Sequence, residues 1–444
     1  MILYKIQQGN EEINSNGGIS LIGALLRNVK SFMKFDKMTF GKVKKGHNSH
    51  SGILRSIIGL LSLGRTDFAD IKLFREDKLF RDCLNLSFVP SEEILRQRLD
   101  GIAADENSLK LIDDANVELL SKVADFGVET TAYSTYNVID IDVSVLDNSN
   151  SKKEGVSWTY KEVDGYAPIF AHLGTHGYML DNELRNGSQH SAKDASIFVR
   201  RCNDLAKRIG VKNILYRVDS GHDDVEFVDT LVDLDGKFLV KRNLRSERLE
   251  QWLAVARRVG TREKPRPGKN VFRGFVSHKK PAGMEDVPMF IAFEVTERLT
   301  DAKTGERFLI PELEVSTWWT NLTEDEATCI NLYHNHATSE QFHSELKTDM
   351  DIEKLPSGKF KTNALFLSLG TLAYNCLRIL GQRALKMKDL LPRSFDVTRR
   401  RLRSVMQDLI YVGCKIVSHA NSKILKFGRH CPYFKVIQEL YASC

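Results

Sequence analysis

Between Tyr136 and Val145 the sequence adopts a period of two, and this alternation constrains the fold more than any other stretch. Ile139, Ile141, Val143 and Val145 fall on one side of an extended chain, and Val138, Asp140, Asp142 and Ser144 on the other. Asp140 and Asp142 therefore share one face of a predicted strand. Two further strand-like runs, residues 165–174 and 177–185, read as a hairpin turning at Thr175, His176 and Gly177. A helix from about Ala192 to Ile209 follows, closed by Gly210. Residues 212–221 then form a short apolar strand whose far end carries Asp219.

A strand with Asp, two strands, a helix and a strand ending in Asp is an order that resembles the ribonuclease H-like fold. In that α/β fold a mixed sheet is flanked by helices, and the first and fourth strands lie side by side and bring their carboxylates together. The expectation is a ribonuclease H-like catalytic core over residues 131–235 and 321–385. Residues 236–320 read as a β-rich insertion, with strand-like runs at 238–242, 272–277, 289–295 and 313–319. Trp318 and Trp319 end the last run; an exposed tryptophan there would suit stacking on an unpaired base, and core packing would suit at least one of them.

Residues 1–130 read as a helical DNA-binding region, because apolar side chains recur at three- and four-residue spacing in 19–26 and 53–63. A helix start stands at Pro90–Ser91, where Ser91 can cap and Glu92 and Glu93 complement the positive end of the dipole. Arg96 and Arg98 behind it are either DNA contacts or two arginines on a solvated face. Residues 362–380 read as an apolar core helix. The remainder, 386–444, reads as a basic helical region with Arg393 and the cluster Arg399, Arg400, Arg401 and Arg403.

A third carboxylate stands out in residues 333–347. If that segment is one regular helix, at about 100° per residue, Tyr333, His336, Glu340 and Lys347 fall within roughly 60° of one another. A core helix would be apolar there. Glu345 competes with Glu340 but lies about 140° further round.

The formal net charge of +6 over 444 residues permits a polyanionic partner without demanding one. Its clustering is more informative. Arg257, Arg258, Arg262, Lys264, Arg266 and Lys269, with two prolines between them, read as an exposed loop suited to gripping DNA. The seven cysteines are scattered singly, and His334, His336 and His343 lack the i, i+4 spacing of a zinc pair. A reduced cytoplasmic protein is expected, without signal peptide or membrane span.

Three acidic side chains from distant segments suit phosphodiester chemistry, which two divalent ions about 4 Å apart promote in an in-line displacement. Hard oxygen ligands hold such ions. Asp142, Asp219 and Glu340 are the candidate set, with Asp140 as the rival of Asp142.

The segment around Glu340 is similar to the Tyr-x2-Arg-x3-Glu-x6-Lys signature of DDE transposases from bacterial insertion sequences, in particular the insertion sequence 1380 group. Tyr333, Glu340 and Lys347 match in type and spacing, and His336 stands where the family has Arg. A neutral imidazole keeps a hydrogen-bond donor but is no permanent phosphate clamp. Asp140-Ile-Asp142-Val-Ser144 is similar to the family's first Asp motif, in which Ser144 fills the hydroxyl position if Asp142 is the ligand. Arg217-Val-Asp219-Ser-Gly221 is similar to the second. Lys153-Glu-Gly155, Leu184-Arg-Asn-Gly187 and Thr320-Asn-Leu322 extend the resemblance over residues 137–363.

That resemblance implies a transposase that cuts at the ends of its element and joins them to target DNA. It implies two Mg²⁺ or Mn²⁺ ions on Asp142, Asp219 and Glu340, and no nucleotide cofactor. Tyr333, His336 and Lys347 would contact DNA. The implied partners are double-stranded terminal inverted repeats, target DNA and further copies of the chain in a dimer or larger assembly. The β-rich insertion makes a DNA-hairpin route plausible, and a bacterial, nucleoid-associated location follows. A metal-dependent nuclease on the same fold and a catalytically silent DNA-binding descendant are the alternatives.

Overall fold

Alternation of side chains between Thr135 and Val143 yields the strand the sequence predicts, and the largest sheet is built around it. The computed structural model describes residues 3–40, 48–277, 280–281, 283–419 and 422–444. Two compact units result: Met1–Lys122 with Glu345–Cys444, and Val123–Ser344.

In the Val123–Ser344 unit we number the main strands β1 (Thr135–Val143), β2 (Ile169–Leu173), β3 (Tyr178–Glu183), β4 (Ile214–Val218), β5 (Lys237–Lys241), β6 (Thr261–Arg266), β7 (Lys269–Val276), β8 (Phe290–Thr300) and β9 (Arg307–Thr320). Their order in one sheet is β6-β7-β8-β9-β5-β4-β1-β2-β3. β1, β4 and β5 are mutually parallel, and β2 runs antiparallel to β1. The strands after β5 add antiparallel to the same sheet, so the β-rich stretch continues it beyond β5.

Glycine allows the β2–β3 connection: Gly174 and Gly177 both have positive φ, and the face of Gly177 is filled by the Phe342 ring. The Ala195–Ile209 helix ends at Gly210, with φ of 90°. On the sheet face that carries Val138, the apolar core gathers Tyr136, Leu215, Leu239, Trp318, Ile330, Leu332 and Tyr333. Trp318 and Trp319 are both buried, and the Trp319 indole N–H donates to Asp223 at 2.9 Å. Neither ring is available to a base.

The other unit is helical around Phe360–Lys386, which packs on His50–Ser62, Asn107–Leu120 and Glu92–Ala103. Among the described residues Phe360–Lys386 is the one helix long and apolar enough to cross a membrane; here it is buried within its unit. Ser91 caps Glu92–Ala103 by accepting from the Ile94 N–H at 3.3 Å. Arg98 is not on a solvated face: it is buried, donating to the Asn48 carbonyl and meeting His50 Nδ1 at 3.0 Å. Arg96 pairs with Glu92, one turn away.

The C-terminal segment is not wholly helical, because Cys414–His419 and Ser422–Phe427 pair as a hairpin. Its arginine cluster is largely committed inside the unit. Arg399 and Arg378 pair with buried Glu345, Arg400 pairs with Asp408, and Arg401 and Arg403 pair with Asp349.

Candidate active site

Parallel pairing of β1 with β4 puts Asp140 opposite Arg217 and Ile141 opposite Val218. One residue further, Asp142 and Asp219 stand level at the C-terminal ends of neighbouring strands. Asp219 keeps extended backbone (φ −74°, ψ 176°), so the alternation carries through and both carboxylates lie on the Asp140 face. The Asp219 carboxylate then caps the turn that leaves the strand, accepting from the Gly221 N–H at 3.1 Å.

The helical segment after Asp325 covers this face, and it is not one regular helix. Glu326–His334 is followed by a 3₁₀ turn at Asn335–Ala337, a helix at Thr338–Ser344 and a π-helical turn at Glu345–Asp349. The His336 Nδ1–H donates to Asp140 at 2.8 Å, and the His343 Nε2–H donates to Asp142 at 3.2 Å. His222, three residues after Asp219, donates its Nδ1–H to Asp219 at 2.7 Å. Asp140, Asp142 and Asp219 therefore each carry one imidazole.

Asp140 is separated from its neighbour by chemistry as well as by depth. Arg217 grips it with two hydrogen bonds of 2.7 Å and also donates to Glu129 at 2.9 Å and to the Leu332 carbonyl at 2.8 Å. Burial pushes the Asp140 carboxyl up, but Arg217 and His336 outweigh burial and hold it well below the usual carboxylate range. Burial likewise opposes the charged form of His336, and Asp140 more than compensates, so the imidazole titrates above its ordinary value. Burial also opposes ionised Asp142; His343, His336 and His222 together keep its carboxyl below its usual value.

Glu340 is exposed on the first turn of Thr338–Ser344, four residues after His336 and three before His343. Among the described residues no group of three or more His, Cys, Asp or Glu side chains stands close enough to hold a metal ion. The donor chemistry does suit a hard divalent cation, since two carboxylates share one face at adjacent strand ends and imidazole N–H groups orient them.

The chain matches the family described as Transposase DDE domain group 1 over residues 5–444. It belongs to that family. Among solved structures, the piggyBac transposase in its synaptic complex with hairpin DNA is similar at a TM-score of 0.44 and 11% identity, over 90% of this chain and 80% of that chain. No curated protein matches the sequence.

Within this transposase several expected DNA contacts lie elsewhere than the regular-helix reading places them. Tyr333 is buried against Trp318, and His336 is buried on Asp140, so neither side chain is presented as an open phosphate contact. Lys347 falls in the helical unit, 3.4 Å from Glu353. The basic stretch is not a loop: Arg257 and Arg258 end the Leu249–Val259 helix, Arg262, Lys264 and Arg266 lie on edge strand β6, and Lys269 opens β7. Pro265 is tolerated because β6 is an edge, where the register shifts between Glu263 and Arg266. The stretch is largely exposed, as expected, although Arg257 meets Glu297 at 2.5 Å and Arg262 donates to Asn270 at 2.7 Å.

The candidate site also brings in residues to which the sequence alone assigns no role there. Arg217 was discoverable, because it shares alternation with Asp219 and must face Asp140 once the strands pair. His222 and His343 sit three residues from expected ligands, at turn and helical spacing. Tyr160 carried no such signal. Its hydroxyl donates to the Val143 carbonyl at 3.0 Å, on a small sheet of Leu146–Asp147, Asp164–Tyr166 and Ser157–Trp158 that the periodicity did not announce.

Proposed function

We propose that this member of the DDE transposase family cuts DNA at the ends of its element and joins the freed ends to target DNA by phosphoryl transfer. The observation that carries the proposal is the level placement of Asp142 and Asp219 on one face of adjacent parallel strands. The strand order β3-β2-β1-β4-β5, with only β2 reversed and antiparallel to both its neighbours β1 and β3, supports a ribonuclease H-like core. Membership of the insertion sequence 1380 group rests on the Tyr333, Glu340 and Lys347 spacing.

Asp142, Asp219 and Glu340 would hold Mg²⁺ or Mn²⁺, and two such ions supply charge relief at the attacking and leaving oxygens of an in-line displacement. The chain's own groups prepare that site. His343 and His222 fix the rotation of the two aspartates, and the Arg217–Asp140–His336 set ties the covering helical segment to the strand beneath it. Asp140 has its charge spent on Arg217, which leaves Asp142 as the available carboxylate of β1. Arg258, Lys264 and their neighbours on the β6 edge would hold the phosphate backbone, so affinity for DNA falls with salt. Action on paired ends calls for a dimer or larger assembly.

The test is a Mg²⁺-dependent cleavage and strand-transfer assay on labelled DNA carrying the terminal inverted repeats that flank the coding region. Cleavage followed by joining of the 3′ end supports the proposal. Cleavage with no joining of a pre-cut end replaces it with a nuclease, and end binding with neither reaction leaves a silent DNA-binding protein.

A further inference from the structure

The helical unit, which holds none of Asp142, Asp219 and Glu340, contains a cavity of about 450 Å³ that the proposed function does not use. Small side chains leave the space. Ser20, Gly23 and Ala24 line it from the Ile19–Arg27 helix, at the three- and four-residue spacing of a single helix face. Gly23 also sets that helix close to Lys78–Cys83, since a Cβ there would meet the Cys83 carbonyl oxygen at 2.1 Å. Leu79 and Leu84, Ile416 on the Cys414–His419 strand and half-exposed Tyr441 on the Phe434–Ala442 helix supply apolar wall. The lining thus joins the N-terminal and C-terminal stretches of the unit.

Its charge is weighted toward cations. Arg27, Arg55 and Lys423 share the lining with one carboxylate, Asp82. The Cys83 thiol adds no anion, because burial and the Asp82 charge push it up to about 12. Asp82 is already taken: Lys423 meets it at 2.7 Å and Arg81 at 2.9 Å. Arg27 is exposed, and neither it nor Arg55 has an ion pair among the described residues. Arg55 is the more telling of the two. It donates to the Ser51 hydroxyl at 3.1 Å and the Asn85 carbonyl at 3.5 Å, while its Nε–H is buried with no hydrogen-bond partner among the described residues. Burial pushes this guanidinium below its ordinary value, and the charge of Asp36 offsets that only in part. A buried charged donor left unpaired is costly, and folded proteins normally supply it with a partner.

We propose that this cavity binds a small organic anion, a carboxylate or phosphate monoester on an apolar body, with its head group on Arg55 and Arg27 and its body against Leu79, Leu84 and Ile416. The planar guanidinium fork suits either head group. The volume falls within the roughly 300–1,000 Å³ of small-molecule sites, and an apolar lining with a few placed polar groups is their usual composition. An occupant ties the Ile19–Arg27 helix to the hairpin and to the Phe434–Ala442 helix, so the unit gains stability as the ligand concentration rises above its dissociation constant. This inference stands apart from the proposed function, because none of the candidate metal ligands belongs to the cavity.

The experiment is calorimetric titration of the full chain with 4-phenylbutyrate and with phenyl phosphate, beside 4-phenylbutanamide as the neutral analogue and inorganic phosphate as the bare head group. At least one of the two organic anions should bind at one site per chain and raise the thermal midpoint, and the tighter of them names the head group. The amide and the bare phosphate should bind roughly tenfold or more weaker. Arg55→Gln should weaken the organic anion by a similar factor without changing the amide. Arg27→Gln, at an exposed position, should act in the same direction and keeps the test decisive if Arg55→Gln fails to fold. No heat and no midpoint shift at about 10 mM of either anion, well above the roughly millimolar constant expected for ligands of this size, overturns the inference. Equal binding of anion and amide, indifferent to both arginine substitutions, overturns it too. If the two substitutions weaken duplex DNA while neither organic anion binds, the cations belong to a DNA surface and the inference falls.

Discussion

The strand pair β1–β4 and the helical segment after Asp325 carry the same kind of information in sequence, a polar residue at a regular spacing, yet they fold with different fidelity. In the strands, pairing fixes the register, so the period of two survives from Val138 to Asp142 and from Arg217 to Asp219. In the helical segment each residue's direction depends on all the turns before it. The 3₁₀ turn at Asn335–Ala337 shifts that phase ahead of Glu340, and the π turn at Glu345–Asp349 shifts it again around Lys347; Tyr333 and His336 are buried while Glu340 is exposed. Carboxylates read from strands are therefore tied more firmly to a place than carboxylates read from a helix.

The largest effect that tests this contrast is on the strand side. Asp142→Ala and Asp219→Ala should bring Mg²⁺-dependent cleavage to background while end binding persists in a mobility-shift assay. Asp140→Asn should act differently, on stability. It strips the charge that compensates buried Arg217, and losing one partner of such a pair costs about 3–5 kcal/mol. Chemical denaturation of the variant measures it; an unchanged midpoint would erase the distinction between Asp140 and Asp142.

On the helical side His336→Phe should cost less, about 1.5–3 kcal/mol for one hydrogen bond to a charged group, with His336→Asn recovering part because its amide can donate to Asp140. His336→Arg, which restores the family's residue, should lose stability rather than gain DNA affinity, since the position is buried. The pH dependence has a definite sign. The folded imidazole titrates above its ordinary value of about 6.5, so its contribution is full below that value and is lost as pH rises through the folded one. The stability gap between wild type and His336→Phe should be constant below about pH 6.5 and narrow as pH rises above it, and a gap that widens would contradict the Asp140 pairing. The smallest effect belongs to the exposed β6 edge, where Lys264→Ala should weaken DNA binding uniformly and lower the salt slope by about 1.

Much of the sheet was legible because alternation and turn glycines are local signals. The strands at Ile169–Leu173, Tyr178–Glu183 and Ile214–Val218 lie within the predicted runs, Thr135–Val143 overlaps the run predicted from Tyr136, and Gly174, Gly177 and Gly210 take the positive φ their positions need. What charge does was less legible. Arg257 to Lys269 and Arg399 to Arg403 look alike as basic clusters, but the first is largely exposed on a sheet edge and the second is committed to Glu345, Asp349 and Asp408. Partners distant in sequence decide that difference. The same reason hid Tyr160, whose link to Val143 depends on a three-stranded sheet of very short strands.

The most direct test of the central claim is the cleavage rate of Glu340→Gln on terminal-repeat DNA at saturating Mg²⁺, measured beside its thermal midpoint and its affinity for the ends. The account predicts cleavage at background with fold and end binding kept, because an exposed carboxylate that serves the chemistry supports nothing else. Cleavage at the wild-type rate would contradict it and leave Asp142 and Asp219 without their third partner.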